Sequence, residues 1–184
     1  SYGFNDFYIA YGYKGKIIKD YFKKKTFNWN IKLINTGLKT MTGGRLKKIA
    51  PYLKDETFLL TYGDGLSDVN INKLIEYHKK NRKLITLTAV RPPARFGAIK
   101  IEGKIVKYFK EKSQIDEGWI NGGFFVIEKK FLKYIKNEST ILEKEPMEIV
   151  TKKKQLTAYK HKGFWQCFDT KRDIELMNQK LTKN

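Results

Sequence analysis

Two carboxylates stand out by where the chain puts them. Asp64 sits between Gly63 and Gly65 at the end of the apolar run 57–62, and Asp169 closes the aromatic run 163–168. Flanking glycines let a large anion approach the backbone, and a carboxylate at a strand end can hold Mg²⁺ against phosphate oxygens. Each residue also has a purely structural reading. Asp-Gly is an ordinary turn pair, and Asp169 or Thr170 can cap the helix that follows. As a pair, two carboxylates delivered by two apolar strands suggest a magnesium site whose other ligands are phosphate and water.

Three further groups surround them in the sequence. Thr40, Gly43, Gly44 and Arg45 place hydroxyl, backbone amides and a guanidinium around a helix start, which suits a nucleotide phosphate or equally a threonine-capped helix after a tight turn. Glu111 and Lys112 pair opposite charges ahead of Asn121, Gly122 and Gly123, two glycines that weaken an apolar strand unless something packs closely there. A sugar ring against that backbone and a β-bulge beside an exposed Glu-Lys pair are the two readings. His78 falls on the apolar side of its helix as a packed residue, and His161 lies in a lysine-rich turn. Neither has a Ser or Cys partner for a triad. The single Cys167 reads as a half-buried strand residue, with no disulfide and no zinc site.

The elements that must position these groups alternate. Runs 7–11, 31–34, 57–62 and 84–90 read as strands, and 14–22, the helix inside 40–54, and 70–82 as helices between them. That order predicts a parallel sheet covered by helices, with ligands at the carboxyl ends of its strands. Beyond Pro92-Pro93 the pattern changes to a hairpin over 96–101 and 104–109 and a long apolar strand at 119–127. A short helix at 145–153, strands at 155–159 and 163–168, and a helix at 171–181 complete the chain. The whole of 1–184 is expected to form one α/β domain.

Bulk properties exclude more than they assign. A formal charge of +19 attracts polyanions, but it is almost all lysine scattered along helical faces, with arginine only at 45, 82, 91, 95 and 172. No specific nucleic-acid motif accompanies it. No run approaches the ~18 apolar residues of a membrane span, and the lone cysteine fits a reducing cytoplasm, so neither membrane nor export is expected.

In order, MTGGRLK at 41–47, FLLTYGDGLSDVNI at 58–71, TLTAVRPPARFGAI at 86–99, FKEK at 109–112, INGGFFVIE at 120–128, LEKEPM at 142–147 and GFWQCFDTKRD at 163–173 resemble the sugar-1-phosphate nucleotidyltransferases, within them the glucose-1-phosphate cytidylyltransferase branch. The resemblance covers almost the whole chain. It implies a Rossmann-like nucleotidyltransferase fold, α/β, with a mixed, mostly parallel sheet flanked by helices. It also implies Mg²⁺ on Asp64 and Asp169, with Asp64, Asp169 and Arg45 as the catalytic set. Thr40, Arg45 and Gly63 would meet the nucleotide, and Glu111, Lys112, Asn121 and Gly122 the sugar phosphate. The implied substrates are CTP and glucose 1-phosphate, giving CDP-glucose and pyrophosphate with no side-chain nucleophile.

Three departures from the family pattern qualify what carries over. The family opens with an apolar strand, a GGxGTRL loop and a KPKP-like segment, and this sequence is expected to start beyond them, N-terminally truncated, leaving strands 7–11 and 57–62 exposed. Residues 23–30 are a short connection where relatives carry an excursion implicated in subunit contacts, which leaves a homo-oligomer open. Ser113 stands where proline is usual. The alternatives are a nucleotidyltransferase of another nucleotide or sugar specificity, a non-catalytic sugar-nucleotide-binding or interaction protein and, behind them, a basic nucleic-acid binder.

Overall fold

The structure, a computed structural model, describes residues 2–92, 98–110 and 118–181. The chain divides into two compact units. The first comprises Ser1–Phe58, His78–Ile85 and Val126–Thr157, and the second Leu59–Tyr77, Thr86–Phe125 and Ala158–Asn184.

In the first unit, β1 (Asp6–Tyr11) pairs in parallel with β2 (Asn30–Asn35), Phe7 opposite Ile31 and Ala10 opposite Ile34, and α1 (Gly15–Lys24) connects them. Next comes α2 (Thr42–Ile49), whose Leu46 and Ile49 are buried while Lys47 and Lys48 fall in the last turn, where positive charge suits the helix dipole. A 3-10 segment, Ala50–Tyr52, ends it at Pro51. Leu46, Ile127, Phe131, Ile135, Leu142 and Val150 form the buried apolar core here. Each such side chain contributes about 1.5–3 kcal/mol on burial.

The main sheet runs in the order β3 (Thr57–Thr61), β8 (Ile120–Glu128), β5 (Ile85–Val90), β9 (Leu156–Lys160). Its flanking hydrogen bonds fix the directions. Lys129 N–H donates to Glu56 O and Tyr62 N–H to Gly123 O, so β8 opposes β3; Ile85 N–H donates to Gln155 O and His161 N–H to Ala89 O, so β5 and β9 are parallel. The result is a mixed sheet. The expected β-α-β alternation is present, but β8, contributed from the second half of the chain, takes the place between β3 and β5. An antiparallel strand buried on both faces carries no sign of its direction in its composition. Strands β1 and β3 are partly exposed, Phe7 and Leu59 each at 37%, and each strand lies at the end of its sheet.

The second unit also holds β4 (Gly65–Ser67), α3 (Ile71–Asn81, which runs on into the first unit), the hairpin β6 (Ala98–Glu102) and β7 (Ile105–Lys110), β10 (Trp165–Cys167) and α5 (Lys171–Leu181). Helix α4 (Glu145–Lys152) belongs to the first unit. His78 is 3% exposed and bonds Glu128 at 2.9 Å, the packed residue expected. No helix among the described residues is long and apolar enough to cross a membrane.

Candidate active site

The short strand β4 was not expected, and it is what brings the two carboxylates together. It pairs antiparallel with β10 in the register Gly65 with Cys167, Leu66 with Gln166 and Ser67 with Trp165. One step outward, the Phe168 N–H donates to the Asp64 carbonyl at 2.9 Å. Asp64 and Asp169 therefore leave the same end of one ladder, and one ligand atom from each, with Cys167 Sγ, lies within 4.8 Å of the others.

Thr170 and not Asp169 serves as the helix cap of α5: its hydroxyl accepts the Asp173 N–H at 3.2 Å, and the Asp173 carboxylate accepts the Thr170 N–H at 3.0 Å. This reciprocal pairing is a capping box. Both Asp64 and Asp169 are exposed, and a side chain placed on Gly63 would meet nothing within 4 Å. Oxygen donors converging at an open backbone suit a hard divalent cation.

Cys167 is the neighbour that sequence reasoning left out of the site, although the two-residue spacing from Asp169 puts both on one face of an extended strand. Burial, then its hydrogen bond to Asp169 at 3.1 Å and the charges of Asp64 and Asp169, push the thiol up to about 11, against a small opposing effect of the Phe168 amide. It is a neutral thiol donating to Asp169.

The strand bearing Asn121 is tied to the same ladder. Trp165 Nε1–H donates to the Gly122 carbonyl at 2.8 Å, and the exposed Asn121 accepts the Gly123 N–H at 3.0 Å. The glycines answer first to packing. A Cβ on Gly122 would lie 2.8 Å from Val90 Cγ1, and Gly123, at φ +76°, would meet Tyr62 at 2.7 Å. Glu111, Lys112 and Ser113 lie outside the described residues.

Thr40 and Arg45 come together in the first unit around Thr36. Thr36 is fully buried; its hydroxyl donates to Tyr11 O and accepts from Arg45 Nη1, while its carbonyl accepts from the Thr40 hydroxyl and from Lys48 Nζ. Glu138 closes the group, 2.8 Å from Lys48 and 3.3 Å from Thr40, with its carboxyl held below the ordinary range by the Lys48 hydrogen bond first, against desolvation. Gly43 and Gly44 form no turn. They lie in the first turn of α2, where a Cβ on Gly44 would sit 2.3 Å from Glu138 O. The helix start is covered by the backbone that follows Glu138: Met41 N–H donates to Glu138 O, Gly44 N–H to Thr140 O, and Leu142 N–H to the Thr42 hydroxyl. No side chain caps α2, and those amides serve the fold.

A mixed sheet flanked by helices, with two carboxylates meeting at a ladder end, defines an α/β protein of the kind the sequence predicts. The family model for nucleotidyl transferases matches residues 1–184, and the chain belongs to that family. It is similar to the glucose-1-phosphate cytidylyltransferase of Salmonella typhi, with 43% identity over 93% of this chain and 76% of the relative. The probable glucose-1-phosphate cytidylyltransferase of Bacillus subtilis is 36% identical over 97% of this chain and 78% of its own length. Among solved structures, HddC from Yersinia pseudotuberculosis superposes with a TM-score of 0.76 at 20% identity, covering 98% of this chain and 80% of that one, a likeness of fold.

Proposed function

We propose that this chain is a glucose-1-phosphate cytidylyltransferase, joining CTP and glucose 1-phosphate into CDP-glucose with release of pyrophosphate. The observation that carries the reading is the 43% identity to an enzyme of that name across 93% of the chain. The convergence of Asp64 and Asp169 supports it.

In this reading a phosphate oxygen of glucose 1-phosphate forms the new bond to the α-phosphorus of CTP as the bond to pyrophosphate breaks. Asp64 and Asp169 would hold Mg²⁺, which would neutralise phosphate charge and help orient the reacting groups. Gly63 leaves the backbone open to the nucleotide, and Thr40 and Arg45 are the further residues assigned to nucleotide binding. Asn121 and Gly122, with Glu111 and Lys112, hold the sugar phosphate. Nothing in this scheme requires a covalent enzyme intermediate, so the protein's work is positioning and electrostatics. The chain acts as one nucleotidyltransferase domain, and the cytoplasm is the compartment proposed for it.

The test is magnesium-dependent pyrophosphate release from glucose 1-phosphate with each of CTP, UTP, GTP, ATP and dTTP. CTP is expected to give the highest kcat/KM. Binding of CTP or CDP-glucose without release from any nucleotide would replace this reading with that of a non-catalytic sugar-nucleotide binder.

A further inference from the structure

We propose that His161, acting through Asp68, is a positioning residue for the carboxylate pair: it locks the register of the ladder that sets Asp64 beside Asp169. The inference rests on the reading of that pair as a metal site.

The ladder between β4 and β10 is three residues long on each strand. An isolated two-stranded ladder is marginal in water, and a slip of one residue turns every side chain to the opposite face. Asp64 would then no longer stand beside Asp169. Something must hold the register at the end away from the carboxylates.

At that end the Asp68 N–H donates to the Phe164 carbonyl at 3.2 Å, and the Ser67 hydroxyl donates to the same carbonyl at 2.8 Å. His161 Nε2 lies 2.8 Å from Asp68 Oδ1 and 3.3 Å from Phe164 O. Both partners are acceptors, so Nε2 carries the hydrogen. The ring therefore bridges both strands at once. Its own backbone is fixed, since the His161 N–H donates to Ala89 O of β5 at 2.9 Å. The fit is close: a Cβ on Gly163 would sit 2.5 Å from Asp68 Oδ1 and 2.7 Å from His161 Cε1. The His161 side chain is 11% exposed and Asp68 is 62% exposed. Removing the imidazole thus leaves Asp68 in water rather than burying an unpaired charge, and the fold is expected to survive the change.

The experiment is direct Mn²⁺ titration of the full chain, free ion followed by electron paramagnetic resonance, for the unmodified protein, His161→Ala, Asp68→Ala, the double variant and His161→Gln. Deleting a partner that orients a metal ligand weakens metal binding by about 10–100-fold. His161→Ala and Asp68→Ala are each expected to weaken Mn²⁺ by about tenfold, the double variant by no more than either single change. His161→Gln, which keeps a donor near the Nε2 position, restores most of the affinity. Amide exchange at Phe168, whose N–H reports the Asp64 end of the ladder, speeds up in parallel.

Unchanged Mn²⁺ affinity in both alanine variants would overturn the inference and leave the metal reading intact. So would a loss of thermal stability with metal binding and Phe168 exchange untouched, which marks a merely structural contact. Absence of Mn²⁺ binding in the unmodified chain would overturn the metal reading and this inference with it.

Discussion

The carboxylate ladder and the Thr36 cluster handle polar groups in opposite ways. At the ladder, the backbone does the structural work and Asp64 and Asp169 stand exposed at its end. Around Thr36 the side chains are the structure: Thr40, Arg45 and Lys48 all converge on one fully buried residue. Chemistry in the first region is separable from stability, and in the second it is not. A substitution therefore reads differently in the two places even where both residues serve the same reaction.

The sharpest way to break that contrast is Asp64→Ala. A metal-held charge is worth several kcal/mol in a phosphoryl-transfer transition state, so activity is expected to fall by on the order of a thousandfold. Stability is expected to stay within about 0.5 kcal/mol, as for an exposed residue away from any cap or core. Pyrophosphate release and a thermal melt measure the two sides. A large drop in melting temperature would show that the carboxylate is part of the fold.

Thr36→Val reverses the pattern. It keeps the shape but removes a hydroxyl that accepts from Arg45 and donates to Tyr11 O in a fully buried site. Stranding such partners costs about 2 kcal/mol, or about 4–8 °C in melting temperature for a chain of this size. Because Arg45 loses its anchor, KM for CTP is expected to rise along with the instability. Stability lost with KM unchanged would separate the cluster from nucleotide binding.

The two regions also differed in how far the sequence revealed them. Helix α3 was legible to within a residue at each end, since Ile71, Leu74, Ile75 and His78 repeat at helical spacing. Asp64 and Asp169 were legible as strand-end carboxylates, but their meeting depends on β4, whose Gly-Leu-Ser has no periodicity to detect. The residues around Thr36 were hidden for a different reason. Glu138 and Thr140 cover the start of α2 from about a hundred positions away, and a contact at that separation leaves no local trace. Gly43 and Gly44 therefore looked like a turn when their small size answers to that backbone. His161 offers only a lysine-rich turn with no triad partner in the sequence, and the Asp68 it meets lies 93 residues away.

Glycines give a finer version of the comparison. In a helix interior Gly→Ala normally gains about 1 kcal/mol. At Gly44 the added methyl meets Glu138 O at 2.3 Å, a backbone atom that cannot swing aside. Overpacking costs about 1–3 kcal/mol and outweighs the gain, so Gly44→Ala is expected to be less stable by about 1 kcal/mol. Gly63→Ala, with nothing within 4 Å, is expected to melt with the unmodified protein and to lose activity only through crowding of the nucleotide. Equal melting temperatures for the two variants would remove the distinction between a packed and an open glycine.

The smallest effect concerns a pair remote from either cluster in the sequence and serves as the control for pH. Desolvation pushes the Glu128 carboxyl upward, but its hydrogen bonds from His78 and Thr57 and the charges of His78 and Lys130 outweigh it and leave it below the ordinary range. A carboxyl lowered by folding stabilises the protein above its unfolded value of about 4.3, and that contribution is lost as pH falls through the folded value. Glu128→Gln removes it at every pH. The unmodified chain is therefore expected to melt above the variant by a constant margin at neutral pH, and the margin is expected to close in acid, below the ordinary carboxylate range. A margin that stayed constant into acid would mean that the His78 contact is held by packing and not by the carboxylate charge.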